Sequence, residues 1–455
     1  MVRLMPLLVF LGCTAEVTQT AAPQVEVEAA LPDLVITLVT GLREDGSADA
    51  DEAFLSAVGV TGRRFKQAYA QSPSPFASLG SMFTGRYVGA IPMCGLMLAG
   101  DRAHRDDQQP WCAGIPEDRP TLASVLSLYG YRTGFFSGKL TGAHRLSEGF
   151  ETSSHGDDWA DATAEASAWW AGDASRPRLL VVVLSDGEGD VLQAEGLPRF
   201  PERKYQWLEP LDPRIGKLKL DGESITAAYR EAASSAGRQL GGLLQALGQG
   251  RDRWTVVGST NGMSLTERGG FHESPVPLLT NNLLVDRAIR VPLVISGPGL
   301  TASSSDAVVE LVDIFPTLAG IAAAVPPAGT PGVDLMADPA GGPAYAEFGD
   351  MLWYRQGEHA LTFRCTQHNA TSIDPGLTEV LTDPQSSRPV QFYSMYNVVS
   401  DPMQEQNLRA AQPDRFEALR LALIGVRTGV GAVPDDAITP QRLWALRMAP
   451  SDGYW

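Results

Sequence analysis

The chain is poor in cysteine and in basic residues, and its apolar runs are short. It has four cysteines in 455 residues, and 36 Lys and Arg against 53 Asp and Glu give a net charge of -17. It has no block of consecutive basic residues, so the positive surface that a nucleic-acid binder needs is missing. The apolar run Leu4–Leu11 is far too short to cross a bilayer. These shortages argue against nucleic acid as a partner.

The N-terminus has the pattern of an export signal. Arg3 precedes the apolar stretch, which predicts a signal peptide rather than a helix of the fold. Leu11-Gly12-Cys13 resembles a bacterial lipobox, in which Cys13 would become the lipidated first residue. Ordinary cleavage beside an incidental Cys13 is the alternative. We expect residues 1–12 to be the signal peptide, residues 13–32 a flexible tether, and the protein to be exported to the cell envelope as a membrane-anchored lipoprotein.

Three cysteines remain after the lipobox. Cys94 and Cys112 flank a turn-rich loop, and Cys365 lies far along the chain. Export favours oxidation, so Cys94 and Cys112 are a candidate disulfide that leaves Cys365 free. Three reduced thiols are the alternative that the sequence leaves open.

Strand and helix patterns alternate along most of the chain. Asp33–Thr40 and Arg178–Leu184 are short apolar runs typical of buried strands, and Ile225–Leu247 has the apolar spacing of an amphipathic helix. Val309–Ile321 also has a helical pattern. The alternation predicts an α/β fold, a mostly parallel central sheet with helices on both faces. Pro, Gly and Ala dominate 326–343, which indicates a boundary before a smaller C-terminal α+β subdomain over 344–455.

Seven motifs follow one another in an order that matches a known family. Ser81–Tyr87 (SMFTGRY) is similar to ASLLTGRYP, Arg290–Gly299 (RVPLVISGPG) is nearly identical to RVPLIISGPG, and Leu311–Leu318 (LVDIFPTL) is similar to LVDIAPTLL. On these motifs the chain resembles the sulfatases of the alkaline phosphatase superfamily, from about Asp33 to Leu408. The resemblance implies a sulfatase-like α/β domain over 33–335 and, if the site were intact, hydrolysis of sulfate esters.

The resemblance also implies a divalent cation held by Asp and Asn after two strands. The matching positions after the first strand are Val39 and Thr40, depending on register, and neither is negatively charged. The second segment is STNG in place of SDNG or SDHG, so Thr260 replaces an Asp and only Asn261 keeps a carbonyl ligand. A turn residue beside Gly262 is the alternative for Asn261. We therefore expect no cofactor at this site.

The segment that matches the family's nucleophile motif also lacks the residues that the chemistry requires. In sulfatases a Cys or Ser of CxPSR is oxidised to formylglycine and attacks sulfur. In the matching segment Ser72–Arg86, the nucleophile position falls on Pro75, which has no nucleophilic group, and the motif Arg falls on Leu79. A slip of one residue places Ser74 in the nucleophile position. A helix N-cap is the alternative for Ser74.

Few cationic residues match the family's charge-stabilising positions. Lys139 matches the sulfate-contacting Lys, and His272 is a weak counterpart of the Lys or His before the RVP strand. Exposed structural roles are the alternative for both. Where the family often has a His after the strand Arg178–Leu184, this chain has Asp186 and Glu188, which would repel a sulfate.

Together these substitutions predict an exported sulfatase-family protein with a degenerate active site. We expect it to bind an anionic ester or glycan, or to act as an envelope scaffold, without catalysis. The alternative is an active, divergent sulfuric or phosphoric ester hydrolase with Ser74 or Ser78 as nucleophile and Ca²⁺ or Mg²⁺ at a rebuilt site. In that case two or more carboxylates should lie near Asn261 and Ser74. The candidate carboxylates are Asp33, Asp45, Asp186 and Glu188.

Overall fold

The computed structural model describes most of the chain between residues 31 and 429. The described residues are 31–44, 49–91, 114–138, 145–156, 158–185, 222–248, 250–262, 284–337, 340–348, 351–366 and 390–429. Several predicted residues lie outside them: Cys13, Asp45, Cys94, Cys112, Lys139, Asp186, Glu188 and His272. Within the described part, no helix is long and apolar enough to cross a membrane.

Eight strands form the central sheet. They are β1 (Asp33–Val39), β2 (Arg63–Tyr69), β3 (Arg132–Ser137), β4 (Thr152–His155), β5 (Arg178–Leu184), β6 (Arg253–Ser259), β7 (Arg290–Ser296) and β8 (Ser303–Glu310). Their order across the sheet is β4-β3-β5-β1-β6-β7-β2-β8. Neighbouring strands are parallel except at β7, which is antiparallel to both β6 and β2.

A second sheet and the helices complete the fold. The second sheet is antiparallel, in the order β12-β11-β10-β9, with β9 (Ala344–Phe348), β10 (Met351–Gln356), β11 (His359–Thr366) and β12 (Val390–Asn397). The helices are α1 (Ala50–Val58), α2 (Pro75–Thr84), α3 (Leu122–Leu128), α4 (Trp159–Trp170), α5 (Gly222–Ala246), α6 (Asp286–Ile289), α7 (Ile314–Ile321) and α8 (Pro413–Gly429). The predicted fold class is confirmed.

Helices cover both faces of the central sheet because side chains of a strand alternate between the faces. Phe135 and Phe136, adjacent in β3, illustrate this alternation. Phe135 packs edge-on against Phe83 of α2 at 5.5 Å between ring centroids. Phe136 packs against Trp169 of α4 at 5.9 Å, in the core that α1, α4 and α5 share.

The helix predicted over Val309–Ile321 begins five residues later than expected. Val309 and Glu310 still belong to β8, where they pair with β2. A 3-10 turn follows at Leu311–Asp313, and α7 starts at Ile314. The buried carboxyl group of Glu310 accepts hydrogen bonds from Gln71 Nε2 and from the Tyr345 N–H, so tertiary contacts outweigh the local helical pattern.

The second sheet is joined to α8 by a buried ion pair. Arg427 of α8 lies 3.2 Å from Glu347 of β9, and both side chains are almost completely buried. Glu347 also accepts a hydrogen bond from the Gly89 N–H at 2.9 Å. Leu419 and Leu423 of α8 pack in the apolar core of this sheet.

Candidate functional site

The carboxyl ends of β1, β5 and β6 meet at one edge of the central sheet. The Thr40 N–H donates to the Leu184 carbonyl at 3.1 Å, and the Thr260 N–H donates to the Val39 carbonyl at 2.9 Å. In open α/β sheets, ligands bind at this edge. Val39, Thr40 and Thr260 therefore stand at the expected place for a site, and each is at most 1% exposed.

The side-chain oxygen of Asn261 has no lone pair left to bind a cation. Its Oδ1 accepts one hydrogen bond from the Gly41 N–H at 3.2 Å and another from the Thr260 hydroxyl at 2.7 Å. Its Nδ2 donates to the Gly262 carbonyl at 2.9 Å. Two donors occupy the two lone pairs of the amide oxygen, and the side chain is fully buried. The structure thus gives Asn261 the role of joining two strand ends.

Ser259 and Tyr229 strengthen the same junction. The Ser259 hydroxyl accepts from the Leu42 N–H at 3.0 Å and faces the Val39 carbonyl at 2.7 Å. The Tyr229 hydroxyl donates to the Gly41 carbonyl at 2.8 Å and accepts from the Arg43 N–H at 2.9 Å. The turn after β1 is therefore held by hydrogen bonds with the hydroxyl groups of Ser259 and Tyr229, and its residues Leu42 and Arg43 are buried.

Helix α2 begins at the position that matches the family's nucleophile. Pro75 is its first residue, where the fixed φ and missing N–H of proline are tolerated. All ten residues of α2 are buried, and Leu79 is 1% exposed. The position of the motif Arg is therefore occupied by a core side chain that packs within the protein.

Ser74 is the N-cap residue of α2 by position, but its side chain makes no capping hydrogen bond. Its hydroxyl is buried and has no hydrogen-bond partner among the described residues. Ser78 differs, because its hydroxyl donates to the Ser72 carbonyl at 2.7 Å and accepts from the Ser72 N–H at 3.2 Å. Of the two candidate nucleophiles, Ser78 closes the turn before the helix, and Ser74 alone is left unpaired.

Asp33 lies at the wrong end of β1 to join a rebuilt metal site. It is the first residue of the strand, and Val39 is the last, which separates their Cα atoms by about 20 Å. Its carboxylate forms a buried ion pair with Arg178, with 2.6 Å between Oδ2 and the guanidinium. The expectation that Asp33 could be recruited to the cleft is wrong, because Asp33 neutralises a buried arginine at the opposite edge.

A buried carboxylate cluster near the turn escaped the sequence analysis. Arg64 of β2 contacts Glu44 at 2.7 Å, Asp51 at 2.9 Å and Glu52 at 2.5 Å. Burial raises the pKa of Glu44 to about 8; the Asp51 carboxylate also raises it, whereas Arg64 lowers it. The spacing of Glu44, Asp51 and Arg64 along the chain carries no motif, so only the fold brings them together.

The free energy of unfolding should fall as the pH rises from about 5 to about 8. Burial raises the pKa of Glu310, like that of Glu44, to about 8. The folded state therefore binds more protons than the unfolded state between about pH 5 and pH 8, and each group lowers the free energy of unfolding by up to about 1.4 kcal/mol per pH unit. Urea unfolding across this range should show a smaller slope for Glu44→Gln. An unchanged slope in that variant, relative to the exposed control Glu231→Gln, would contradict the assignment.

A histidine that the sequence analysis did not single out lies at the carboxyl edge of the sheet. His155 ends β4, and its Nδ1 is 2.6 Å from the hydroxyl of Ser137, the last residue of β3. Its Nε2 is 3.0 Å from the Ser147 hydroxyl. Burial lowers the pKa of His155, which favours the neutral ring between two hydroxyl groups. Since Ser137 is fully buried, this contact ties β3 to β4.

The described side chains at the ends of β1 and β6 do not fit a divalent cation. Among the described residues, no three or more His, Cys, Asp or Glu side chains are placed to hold a metal ion. Ca²⁺ and Mg²⁺ prefer several oxygen ligands with carboxylates among them. Thr40 and Thr260 are neutral, and the Asn261 oxygen already accepts two hydrogen bonds.

The strand order and the positions of the motifs along it are those expected of a sulfatase-like fold. A sequence model of the family described as Sulfatase matches residues 48–324, which is more than half of the chain. The chain belongs to the sulfatase family. No curated protein is similar enough in sequence to count as a match.

Several solved structures share this fold. BT4656 in complex with its substrate D-glucosamine-2-N,6-O-disulfate is 15% identical, with a TM-score of 0.62 over 90% of this chain and 100% of that one. Ps i-CgsB in complex with k-i-k-neocarrahexaose is 14% identical, with a TM-score of 0.58 over 92% and 98%. A Bacteroides thetaiotaomicron protein tied to the metabolism of multiple glycosaminoglycans is 11% identical, with a TM-score of 0.62 over 92% and 99%. At these identities the likeness shows the fold alone.

Proposed function

We propose that this chain is an exported, lipid-anchored sulfatase-family protein that no longer hydrolyses sulfate esters and binds an anionic sulfated glycan. The saturated amide oxygen of Asn261 is the observation that carries the proposal. In an active sulfatase the ends of β1 and β6 would present charged oxygen ligands to a cation. Here the same ends are joined by neutral hydrogen bonds and are buried.

The loss extends to the groups that would perform the chemistry. Pro75 has no nucleophilic group, and Leu79 lies in the core where the family has an Arg. Removing a single group that stabilises the developing charge typically costs 100-fold or more in rate, of order 10²–10³. Loss of the cation, the nucleophile and this Arg together would therefore remove most of the stabilisation that the family's reaction needs.

Two features support an anionic glycan as the ligand, the start of α2 and the ligands of related structures. Helix α2 is ten residues long, and its N-terminus carries partial positive charge from the helix dipole. The related structures include complexes with D-glucosamine-2-N,6-O-disulfate and with k-i-k-neocarrahexaose. Lys139, which matches the sulfate-contacting Lys of the family, belongs to the same candidate set on sequence grounds.

The proposal predicts that the purified protein contains no stoichiometric Ca²⁺, Mg²⁺ or Mn²⁺. Millimolar Ca²⁺ should leave the Tm unchanged, because a ligand stabilises a protein only if it binds the native state. Elemental analysis and a thermal melt with and without Ca²⁺ test this directly. A bound metal at one equivalent, or a clear upward shift of Tm with Ca²⁺, would refute the loss of the metal site.

One observation favours the second candidate, an active and divergent ester hydrolase. The buried Ser74 hydroxyl at the start of α2 lacks a hydrogen-bond partner among the described residues. A nucleophile held ready for a substrate would have this property, although an N-cap residue with a rotated side chain would have it too. The two candidates differ in one measurable respect, since only the hydrolase requires Ser74 for turnover.

A further inference from the structure

The edge of the sheet where the parallel strands begin carries an exposed apolar patch. Leu128, at the end of α3, is 85% exposed, and Val325, which follows α7, is 74% exposed. Tyr129 joins them, because its hydroxyl accepts a hydrogen bond from the Val325 N–H at 3.1 Å. We name these three residues the edge patch. Adjacent large apolar side chains that remain in water are a common mark of an interaction surface.

Arginines continue this surface from the edge patch toward β6. Arg176 donates through Nε to the carbonyl of Gly130, one residue after the edge patch, at 2.9 Å, and its guanidinium also forms an ion pair with Glu151 at 2.6 Å. Arg251 donates to the carbonyl of Ser175, beside Arg176, at 3.3 Å. The two guanidinium-bearing side chains are 40% and 24% exposed. Apolar and cationic groups thus lie side by side on one face.

The charge of this edge contrasts with the charge of the chain. Its described residues include five arginines and four acidic residues, whereas the whole chain has 17 more acidic than basic residues. The edge is therefore not repelled by anionic headgroups in the way that the average surface is. The residues are Arg132, Arg176, Arg178, Arg251 and Arg253, and Asp33, Glu151, Asp173 and Asp252.

The predicted tether joins the folded chain at the same edge. The Asp33 N–H donates to the Asp252 carbonyl at 2.7 Å, and Arg251 Nε lies 3.9 Å from Asp33 Oδ1. Residues 13–32 end immediately before Asp33. If these residues form the flexible tether that the sequence predicts, their root-mean-square span is about 25 Å. A lipid on Cys13 would therefore hold this edge close to the bilayer.

We propose that the edge patch, with Arg176 and Arg251, is a surface that contacts anionic phospholipid membranes. Leu128, Tyr129 and Val325 enter the boundary between headgroups and acyl chains. Arg251 contacts phosphates, and Arg176, which is 40% exposed, exchanges part of its ion pair with Glu151 for a phosphate contact. This proposal rests on the proposed export and lipid anchor, because the tether keeps a weakly binding surface at high local concentration. The carboxyl edge with Asn261 and α2 then faces away from the membrane, where a long glycan has free access.

Vesicle flotation tests the surface without the anchor. The full chain carrying Cys13→Ser is mixed with phosphatidylcholine–phosphatidylglycerol vesicles, and with phosphatidylcholine alone, at low and high salt. We expect binding to the anionic vesicles that salt weakens, and a loss of about tenfold in Leu128→Ser/Val325→Ser from the apolar surface removed. Leu421→Ser, at a 57% exposed position on α8, is the matched control and should bind like the parent. The segment Leu4–Leu11 is common to all variants.

Two results would contradict the proposed membrane contact. One is that Leu128→Ser/Val325→Ser binds vesicles as well as the Leu421→Ser control does. The other is a dimer that depends on protein concentration and on Leu128, without vesicle binding, since a second copy would then be the occupant. Acyl labelling at Cys13 in cells tests the anchor separately: absent labelling contradicts the anchor and leaves the vesicle result standing.

Discussion

Thr260→Asp, which restores the acidic residue of the family motif, is expected to lower the free energy of unfolding by about 3–5 kcal/mol. The Thr260 hydroxyl donates to Asn261 Oδ1 at 2.7 Å in a fully buried position. A carboxylate there would face the amide oxygen with no donor to offset its charge. In an active sulfatase a bound cation would compensate, so in this protein millimolar Ca²⁺ should not restore the lost stability.

Urea unfolding of Thr260→Asp with and without Ca²⁺ measures both parts of the prediction. Thr260→Val is the matched control, because it keeps the shape and removes only the hydroxyl. It should cost about 1–2 kcal/mol, since the Gly41 N–H still bonds to the Asn261 oxygen. If Ca²⁺ returned Thr260→Asp to parental stability, the carboxyl edge would still be able to hold a metal.

Leu79→Arg, which restores the family's motif Arg, is expected to be similarly destabilising. Leu79 is 1% exposed within a helix whose residues are all buried. An unpaired guanidinium in that position would lose its hydration, at a cost of about 3–5 kcal/mol. Thermal and urea unfolding should both show the loss.

Leu79→Met separates the effect of charge from the effect of shape. Met has nearly the volume of Leu, so this variant should lose less than about 1.5 kcal/mol. An Leu79→Arg protein with parental stability would mean that this side chain borders an open cleft. Tighter binding of inorganic sulfate in that variant would point to the same conclusion and would contradict a core role for position 79.

The fold could be predicted from the sequence because the family motifs coincide with its elements. Arg290–Gly299 contains β7, and the run that begins at Asp33 is β1. The limits of the prediction follow from tertiary contacts. The Val309–Ile321 pattern is helical in isolation. Its first two residues nevertheless pair with β2, because the backbone hydrogen bonds of the sheet and the buried contacts of Glu310 outweigh the local pattern.

The candidate site could be predicted by position but not by its hydrogen bonds. Counting along the motifs placed Thr40 and Thr260 at strand ends, where the structure has them. The motifs could not show that the Asn261 side-chain oxygen accepts hydrogen bonds from the Gly41 N–H and the Thr260 hydroxyl, because side-chain direction depends on packing across the sheet. Asp33 was misjudged for the same reason, since its partner Arg178 lies 145 residues away.

Turnover of an aryl sulfate by the purified protein, with Ca²⁺, Mg²⁺ or Mn²⁺ present, tests the central claim most directly. Our account predicts no hydrolysis above that of buffer with any of these metals, and the same result for Ser74→Ala. Metal-dependent hydrolysis that Ser74→Ala abolishes would contradict it and would establish the divergent hydrolase instead.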